Sequence, residues 1–153
     1  MKVIFFILIS LFTLLSAEES AKVVYDLTTK DLQIFERKIL KAIVANKHHY
    51  EGKLKELDVT VVIHGGAYRF FTQDPMKTEY KSDKALVASY SELKKRIRTM
   101  HSMYDVEFLM CGAGMVKHGL KAKDIVDYVT IIPNSTIGLI DRQNEGYAYI
   151  PVN

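Results

Sequence analysis

The chain contains a single cysteine, Cys111, and this scarcity limits the chemistry open to it. One cysteine cannot close a disulfide within the chain, and it cannot form the paired spacing of a zinc or dithiol site. Three roles are left for it: an inert core residue, a bond to another chain, or a reactive thiol. Phosphate-binding loops and nucleophile elbows are also missing. We therefore expect no metal and no cofactor.

An excess of one charge is also missing. The 21 lysines and arginines nearly balance the 18 aspartates and glutamates, and the net charge of +3 is evenly spread. This balance argues against a nucleic-acid partner. The chain has no tryptophan and three prolines, and 48% of it is hydrophobic, which is the composition of an ordinary globular protein. A length of 153 residues suits one domain.

The longest apolar run is too short to span a membrane. It extends from Val3 to Leu15, about 13 residues where a membrane-spanning helix needs about 20. Lys2 precedes it and Ala17 follows, a pattern typical of a secretory signal peptide. We predict a signal peptide at residues 1–17, a single domain at 18–153, and a periplasmic or secreted protein that meets the membrane only during export. An uncleaved anchor is the alternative, since Leu15 is large for the −3 position.

Apolar periodicity predicts alternating strands and helices. The predicted strands are 23–27, 59–63, 106–110, 128–132 and 147–152. The predicted helices are 31–46, 84–100 and about 137–144, with a short helix or turn at 120–126. This alternation predicts an α/β fold: a three-layer α/β/α sandwich around a mainly parallel five-stranded sheet.

The residues around Cys111 are the strongest candidates for a chemical site. An apolar strand ends there, which brings the thiol to the carboxyl edge of the sheet, where open α/β sheets bind ligands. Gly112 and Gly114 allow backbone amides to approach an anion. A helix start with Lys117 and His118 nearby would lower the pKa of the thiol. We predict a catalytic Cys111 and ligand binding by the other four residues, against the alternative of an inert core cysteine.

His64 follows the β-branched run at 59–63 and would stand at the same edge of the sheet. It either borders the ligand site or only closes its strand with a hydrogen bond. Residues 67–83 are irregular and rich in aromatic side chains. They predict a lid or binding loop, or else aromatic packing on the domain body or on a second subunit. Asn134 matches a glycosylation acceptor, but a helix cap is the favoured interpretation.

Three segments resemble the DsrE/DsrF-like sulfur-relay family. Phe108 to Met115 is similar to the family's strand that ends in cysteine and enters a glycine turn. Val129 to Ile150 resembles its carboxyl-terminal block, and Val61 to Gly66 its second strand. The resemblance implies a small α/β/α domain, oligomeric assembly, and a persulfide on a cysteine at a position like Cys111. The chain has Ala113-Gly114 where many exported relatives have Asn-Thr, so it lacks the two side chains that could contact bound sulfur in those relatives.

The function that the resemblance implies is a periplasmic, sulfurtransferase-like sulfur carrier that holds sulfane sulfur as a persulfide. Whether it is an enzyme stays open. Its expected partners are further copies of itself and a protein that donates or accepts sulfur. The alternative is a non-catalytic module of the same fold that binds a small ligand or a protein. Oxidoreductase chemistry is a weaker option, because the chain carries no resolving cysteine.

Overall fold

A computed structural model describes residues 20–153 of the chain. The signal peptide predicted for residues 1–17 lies outside the described residues. None of the helices formed by residues 20–153 combines the length and apolar character that a membrane span requires.

Five strands form one sheet in which every neighbouring pair is parallel, in the order β4-β3-β2-β1-β5. The strands are β1 (Ala21–Leu27), β2 (Leu57–Ile63), β3 (Val106–Cys111), β4 (Thr130–Ile132) and β5 (Ala148–Val152). β2 lies at the centre and is nearly continuous in buried β-branched residues, as expected for a strand covered on both faces. The sheet confirms the predicted α/β class.

Helices and short turns connect the strands. The helices are α1 (Leu32–Phe35), α2 (Ala42–Glu51), α3 (Lys84–Ser102), α4 (Gly112–Met115) and α5 (Ser135–Asn144), and a π-helical segment (Glu36–Lys41) joins α1 to α2. The predicted stripe of α3, from Leu86 to Met100, is buried. Asn134 caps α5, because its side chain accepts a hydrogen bond from the Ile137 amide, so the capping interpretation is confirmed.

The two faces of the sheet are covered unequally. α1, α2 and α3 pack on one face over the larger apolar core. β5 lies at the opposite edge from β4, so a right-handed crossover carries α5 alone over the second face. There α5 covers a smaller cluster of Val24, Val62 and Leu109. Gly138 permits this approach, since a Cβ on it would lie 2.5 Å from a methyl carbon of Ile132.

The irregular stretch at 67–83 is built mainly from three short 3-10 segments, Gly65–Phe71, Pro75–Lys77 and Glu79–Ser82. Its aromatic side chains face inward, and Tyr68, Phe70, Phe71 and Tyr80 are buried. The Phe70 ring stacks on that of Phe35 at 4.4 Å between centroids. These aromatics therefore pack on the domain body, and the segment does not form a lid of exposed aromatic side chains.

Candidate functional site

Cys111 is the last residue of β3 and the residue before α4. It lies between two other strand ends, because it pairs with Ile132 on β4 while β2 ends beside Met110. Only 6% of the residue is exposed. The predicted position at the carboxyl edge of the sheet is therefore correct, and so is the expectation that a lone cysteine tends to be buried.

Several hydrogen-bond donors act on the sulfur of Cys111. Burial raises the pKa of this thiol, but hydrogen bonds from the Gly114 amide, the Tyr68 hydroxyl, and the amide and hydroxyl of Ser135 outweigh it. The net pKa lies below the ordinary value for cysteine. Donors of this kind stabilise a thiolate, which is the nucleophilic form. The arrangement favours an activated sulfur over an inert one.

Tyr68 reaches the cysteine from the turn that follows β2. Its hydroxyl donates to the Cys111 carbonyl oxygen at 2.6 Å, so its single proton serves either that carbonyl or the sulfur. Burial raises the pKa of Tyr68, which keeps the hydroxyl protonated and able to donate. Gly114 makes room for it, because a Cβ there would lie 2.2 Å from the Tyr68 hydroxyl oxygen.

The backbone of the glycine turn contributes less than the sequence predicted. The Ala113 amide donates to the Pro133 carbonyl at 3.1 Å and is already occupied. Gly112 lies against β4, where a Cβ would be 3.0 Å from the Ile132 carbonyl oxygen. Within the turn, Gly114 supplies the amide that acts on the sulfur, and the second amide comes from Ser135 at the start of α5.

Lys117 and His118 lie in the turn Val116–His118, which directly follows α4. His118 pairs through Nδ1 with Glu79 Oε1 at 2.6 Å, and its ring lies 5.0 Å from that of Tyr68. Neither residue is among the groups that lower the pKa of Cys111. The predicted effect of Lys117 and His118 on the thiol, like their role in ligand binding, stays a prediction.

His64 is the residue after β2, and its side chain makes a contact of its own. Its Nε2 lies 2.6 Å from Asp26 Oδ1, and the Tyr149 hydroxyl donates to Asp26 Oδ2 at 2.6 Å. The His64 amide also donates to the Leu27 carbonyl, as the strand-closing alternative expected. No group of three metal-ligating side chains occurs within the described part of the chain.

Sequence reasoning missed four residues of this region: Tyr68, Ser135, Asp26 and Tyr149. Ser135 stood inside the Asn-Ser-Thr segment, which was interpreted only as a helix cap. Tyr68 was one of several aromatics in an irregular stretch. Nothing local marks either residue as a neighbour of the cysteine, because each comes from a different part of the chain.

A family profile described as DsrE/DsrF-like matches residues 22–152. The chain belongs to the DsrE/DsrF-like family. This confirms the resemblance found in the sequence, and the family is in general related to sulfur relay. Cys111 and its donors lie within the matched residues.

One curated relative and one solved structure are similar to this chain. An uncharacterized protein of Aquifex aeolicus (strain VF5) is 30% identical over 131 residues, covering 85% of this chain and 55% of its own length. The chain thus spans about half of that relative. The protein of unknown function MTH1491 from Methanobacterium thermoautotrophicum has a TM-score of 0.55 at 22% identity, over 86% of this chain and 99% of its own. That likeness shows the shared fold alone.

Proposed function

We propose that this DsrE-like protein is a sulfur carrier in which Cys111 holds sulfane sulfur as a persulfide. The observation that carries the proposal is the position of Cys111: the thiol ends β3 at the carboxyl edge of the sheet, is only 6% exposed, and has the Gly114 amide, the Tyr68 hydroxyl and Ser135 as neighbours. Burial alone raises the pKa of this thiol, but these donors outweigh it and favour negative charge on sulfur. A persulfide is more acidic than a thiol and suits the same surroundings.

The proposed loading step is an attack of the Cys111 thiolate on the outer sulfur of a donor. A new sulfur–sulfur bond forms to Cys111, and the donor's own bond to that sulfur breaks with its electron pair on the leaving group. The added sulfur would lie near the amides of Gly114 and Ser135. No redox partner is needed, because the transferred atom keeps its oxidation level.

The low exposure of Cys111 predicts selection by size. Small donors such as inorganic polysulfide or thiosulfate would reach the sulfur with little rearrangement of the protein. Bulky aromatic disulfides would react slowly in the folded state and quickly after unfolding. A comparison of the two reagent classes under native conditions and in denaturant measures this difference.

The direct test is the intact mass of the protein after brief exposure to polysulfide or thiosulfate, with and without reductant. We expect a reducible gain of one or more sulfur atoms, faster in folded than in unfolded protein. Cys111→Ser is expected to keep the fold and lose the gain. Ser89→Ala, a change at a remote helix surface, is the matched control. Loading that persists in Cys111→Ser would refute the proposal.

The proposal includes export and assembly. The apolar leader of residues 1–17 supports a periplasmic or secreted location. Exposed apolar side chains on α5 and on both edge strands, among them Ile137, Ile140, Ile131 and Tyr149, support a homo-oligomer. A separate protein would donate or accept the sulfur. The mass of the purified protein in solution, measured by light scattering, tests the oligomer.

The alternative is a non-catalytic binding module, and the burial of Cys111 is the observation that favours it. The aromatic side chains of 67–83 are packed inside, so a ligand would have to use another surface. A thiol that stays silent towards small electrophiles until the protein unfolds, with no sulfur gain, would support this module instead of the carrier.

A further inference from the structure

Three polar side chains form a connected cluster at the carboxyl edge of the sheet, on the face covered by α5. His64 Nε2 lies 2.6 Å from Asp26 Oδ1, and the Tyr149 hydroxyl donates to Asp26 Oδ2 at 2.6 Å. The His64 side chain is 28% exposed and that of Asp26 is 14% exposed. The cluster is therefore ordered by hydrogen bonds and still open to a small solute.

Strand register places His64 next to Cys111. Ile63 on β2 pairs with Met110 on β3, so the next positions along the two strands are His64 and Cys111. Adjacent strands are about 4.8 Å apart. The cysteine and the histidine are therefore neighbours across the end of the sheet.

The alternation of side chains puts both residues on the same face. Val62 and Leu109, two positions earlier on β2 and β3, form the apolar cluster under α5. Side chains two residues apart share a face of a sheet, so this alternation directs His64 and Cys111 to the same face. Cys111 is the last residue of its strand, and there it also contacts the larger core cluster. Asp26 pairs with Val62 and follows the same alternation.

The hydrogen bonds of Asp26 determine which nitrogen of His64 holds its proton. An ionised carboxylate can only accept hydrogen bonds, so Nε2 must be the donor to Oδ1, just as the Tyr149 hydroxyl is the donor to Oδ2. Nδ1 is then the ring nitrogen that Asp26 does not engage. Within residues 20–153, no side chain or backbone group is hydrogen-bonded to Nδ1.

We propose that His64 carries a proton between the leaving and the attacking sulfur at Cys111, with Asp26 as its positioning residue, and that the substrates are alkyl hydropersulfides. This inference rests on the proposed function. A leaving alkyl thiolate is a base with a pKa of about 8.5, so protonating it as it departs favours transfer. A leaving group that is a stable anion needs no such proton.

The loading step balances as follows. The Cys111 thiolate attacks the outer sulfur of R–S–S–H and forms Cys111–S–S–H, while the donor's sulfur–sulfur bond breaks with its electron pair on the inner sulfur. The departing RS⁻ takes the proton from Nδ1 of the His64 imidazolium and leaves as RSH. His64 is then neutral.

The unloading step returns the proton. An acceptor thiol R′SH gives its proton to Nδ1 of His64 and attacks the outer sulfur of Cys111–S–S–H as a thiolate. R′–S–S–H forms, and Cys111 leaves as the thiolate. One turnover converts R–S–S–H and R′SH into RSH and R′–S–S–H, with no change in the protein.

The test compares two donors in one variant. His64→Gln places an amide NH2 near the position of Nε2, keeping a donor for Asp26 but removing Nδ1. Loading from cysteine hydropersulfide should slow by about 100-fold, the usual scale of general acid catalysis. Loading from thiosulfate, whose leaving group is the stable anion sulfite, should slow far less. The exposed His48→Gln is the matched control and should change neither rate.

Each outcome separates this inference from the proposed function. If the wild-type protein loads from both donors and His64→Gln slows both equally or neither, the proton-carrier role is overturned while the carrier stands. If the wild-type protein loads from neither donor, both fail. Asp26→Asn should lower the rate of loading from hydropersulfide alone. Its amide NH2 cannot accept a hydrogen bond, yet it would face either His64 Nε2 or the Tyr149 hydroxyl, which are both donors.

A measurement on unmodified protein guards against misfolded variants. Proton transfer during loading predicts that the wild-type rate with cysteine hydropersulfide falls in heavy water, whereas the rate with thiosulfate does not. Equal solvent isotope effects for the two donors would overturn the role of His64, even if every variant failed to fold.

Discussion

Gly114 offers a sharp test of the packing around the thiol, through the change Gly114→Ala. The new Cβ would lie 2.2 Å from the Tyr68 hydroxyl oxygen, more than 1 Å inside the ordinary contact distance of 3.4 Å. Tyr68 is fully buried, and its hydroxyl is hydrogen-bonded to the Cys111 carbonyl. The ring therefore cannot move aside without breaking that bond.

The expected cost has two parts. Overpacking of a close-packed site costs about 1–3 kcal/mol, and a buried carbonyl that loses its donor costs about 1–3 kcal/mol. Because local relaxation reduces both the overpacking and the loss of the hydrogen bond, we expect Gly114→Ala to lower the free energy of unfolding by about 2–4 kcal/mol. That corresponds to a fall of roughly 8–15 °C in Tm for a domain of this size.

Tyr68→Phe isolates the cause. It removes the hydroxyl oxygen, so the nearest ring atom to the new Cβ is Cζ at 3.0 Å, a tight contact but a much smaller overlap. Tyr68→Phe alone should cost about 1–2 kcal/mol, because the Cys111 carbonyl loses its donor. In that background the further cost of Gly114→Ala should fall to about 1 kcal/mol, which gives a coupling of about 1–3 kcal/mol.

The assay is equilibrium unfolding in urea, followed by circular dichroism, for the two single variants, the double variant and the wild type. Gly52→Ala is the control, since φ there is −61° and the nearest atom to the new Cβ is an ordinary 3.4 Å away. It should be neutral or stabilise by less than about 1 kcal/mol. The reasoning is refuted if Gly114→Ala costs no more than Gly52→Ala, or if Tyr68→Phe does not reduce its cost.

Two further predictions concern the start of α5. Ser135→Ala removes a hydroxyl that lowers the pKa of Cys111, so that pKa should rise. The pH dependence of the rate of alkylation by iodoacetamide should then shift to higher pH. Ser89→Ala should leave the profile in place, and an unshifted profile in Ser135→Ala would contradict the assignment. Asn134→Ala removes the cap of α5 and should cost about 0.5–2 kcal/mol in urea unfolding, whereas Asn134→Asp should retain the stability. Equal stability of the alanine and aspartate variants would show that the cap contributes nothing.

Some of the site was predictable from local sequence. The run that ends in Cys111 identified a strand, and a cysteine at the end of a parallel strand necessarily lies at the carboxyl edge of its sheet. The position of His64 followed from the same rule applied to β2. The Asn134 cap depends only on residues within one helical turn. Each of these features is fixed by neighbours in the chain.

The source of the low thiol pKa was predictable only in part: the Gly114 amide follows the cysteine closely in the chain, whereas Tyr68 and Ser135 do not. The sequence indicated Lys117 and His118 because they follow the cysteine closely. The structure adds Tyr68 and Ser135 as donors, and it directs His118 to Glu79. Residues that are close along the chain need not be close in space once the chain turns. After the turn that follows Cys111, the His118 side chain pairs with Glu79.

By itself, the sequence determined the alternation of strands and helices, the parallel sheet and the edge at which the thiol stands, because periodicity and β-branched runs act over a few residues. Only the tertiary structure decided which donors surround Cys111 and that Asp26 joins His64 to Tyr149. The contact of Asp26 with Tyr149 joins residues near opposite ends of the chain, and it arises because β5 crosses to the far edge of the sheet beside β1. That crossover brings α5 over the second face and its first residue, Ser135, to the sulfur.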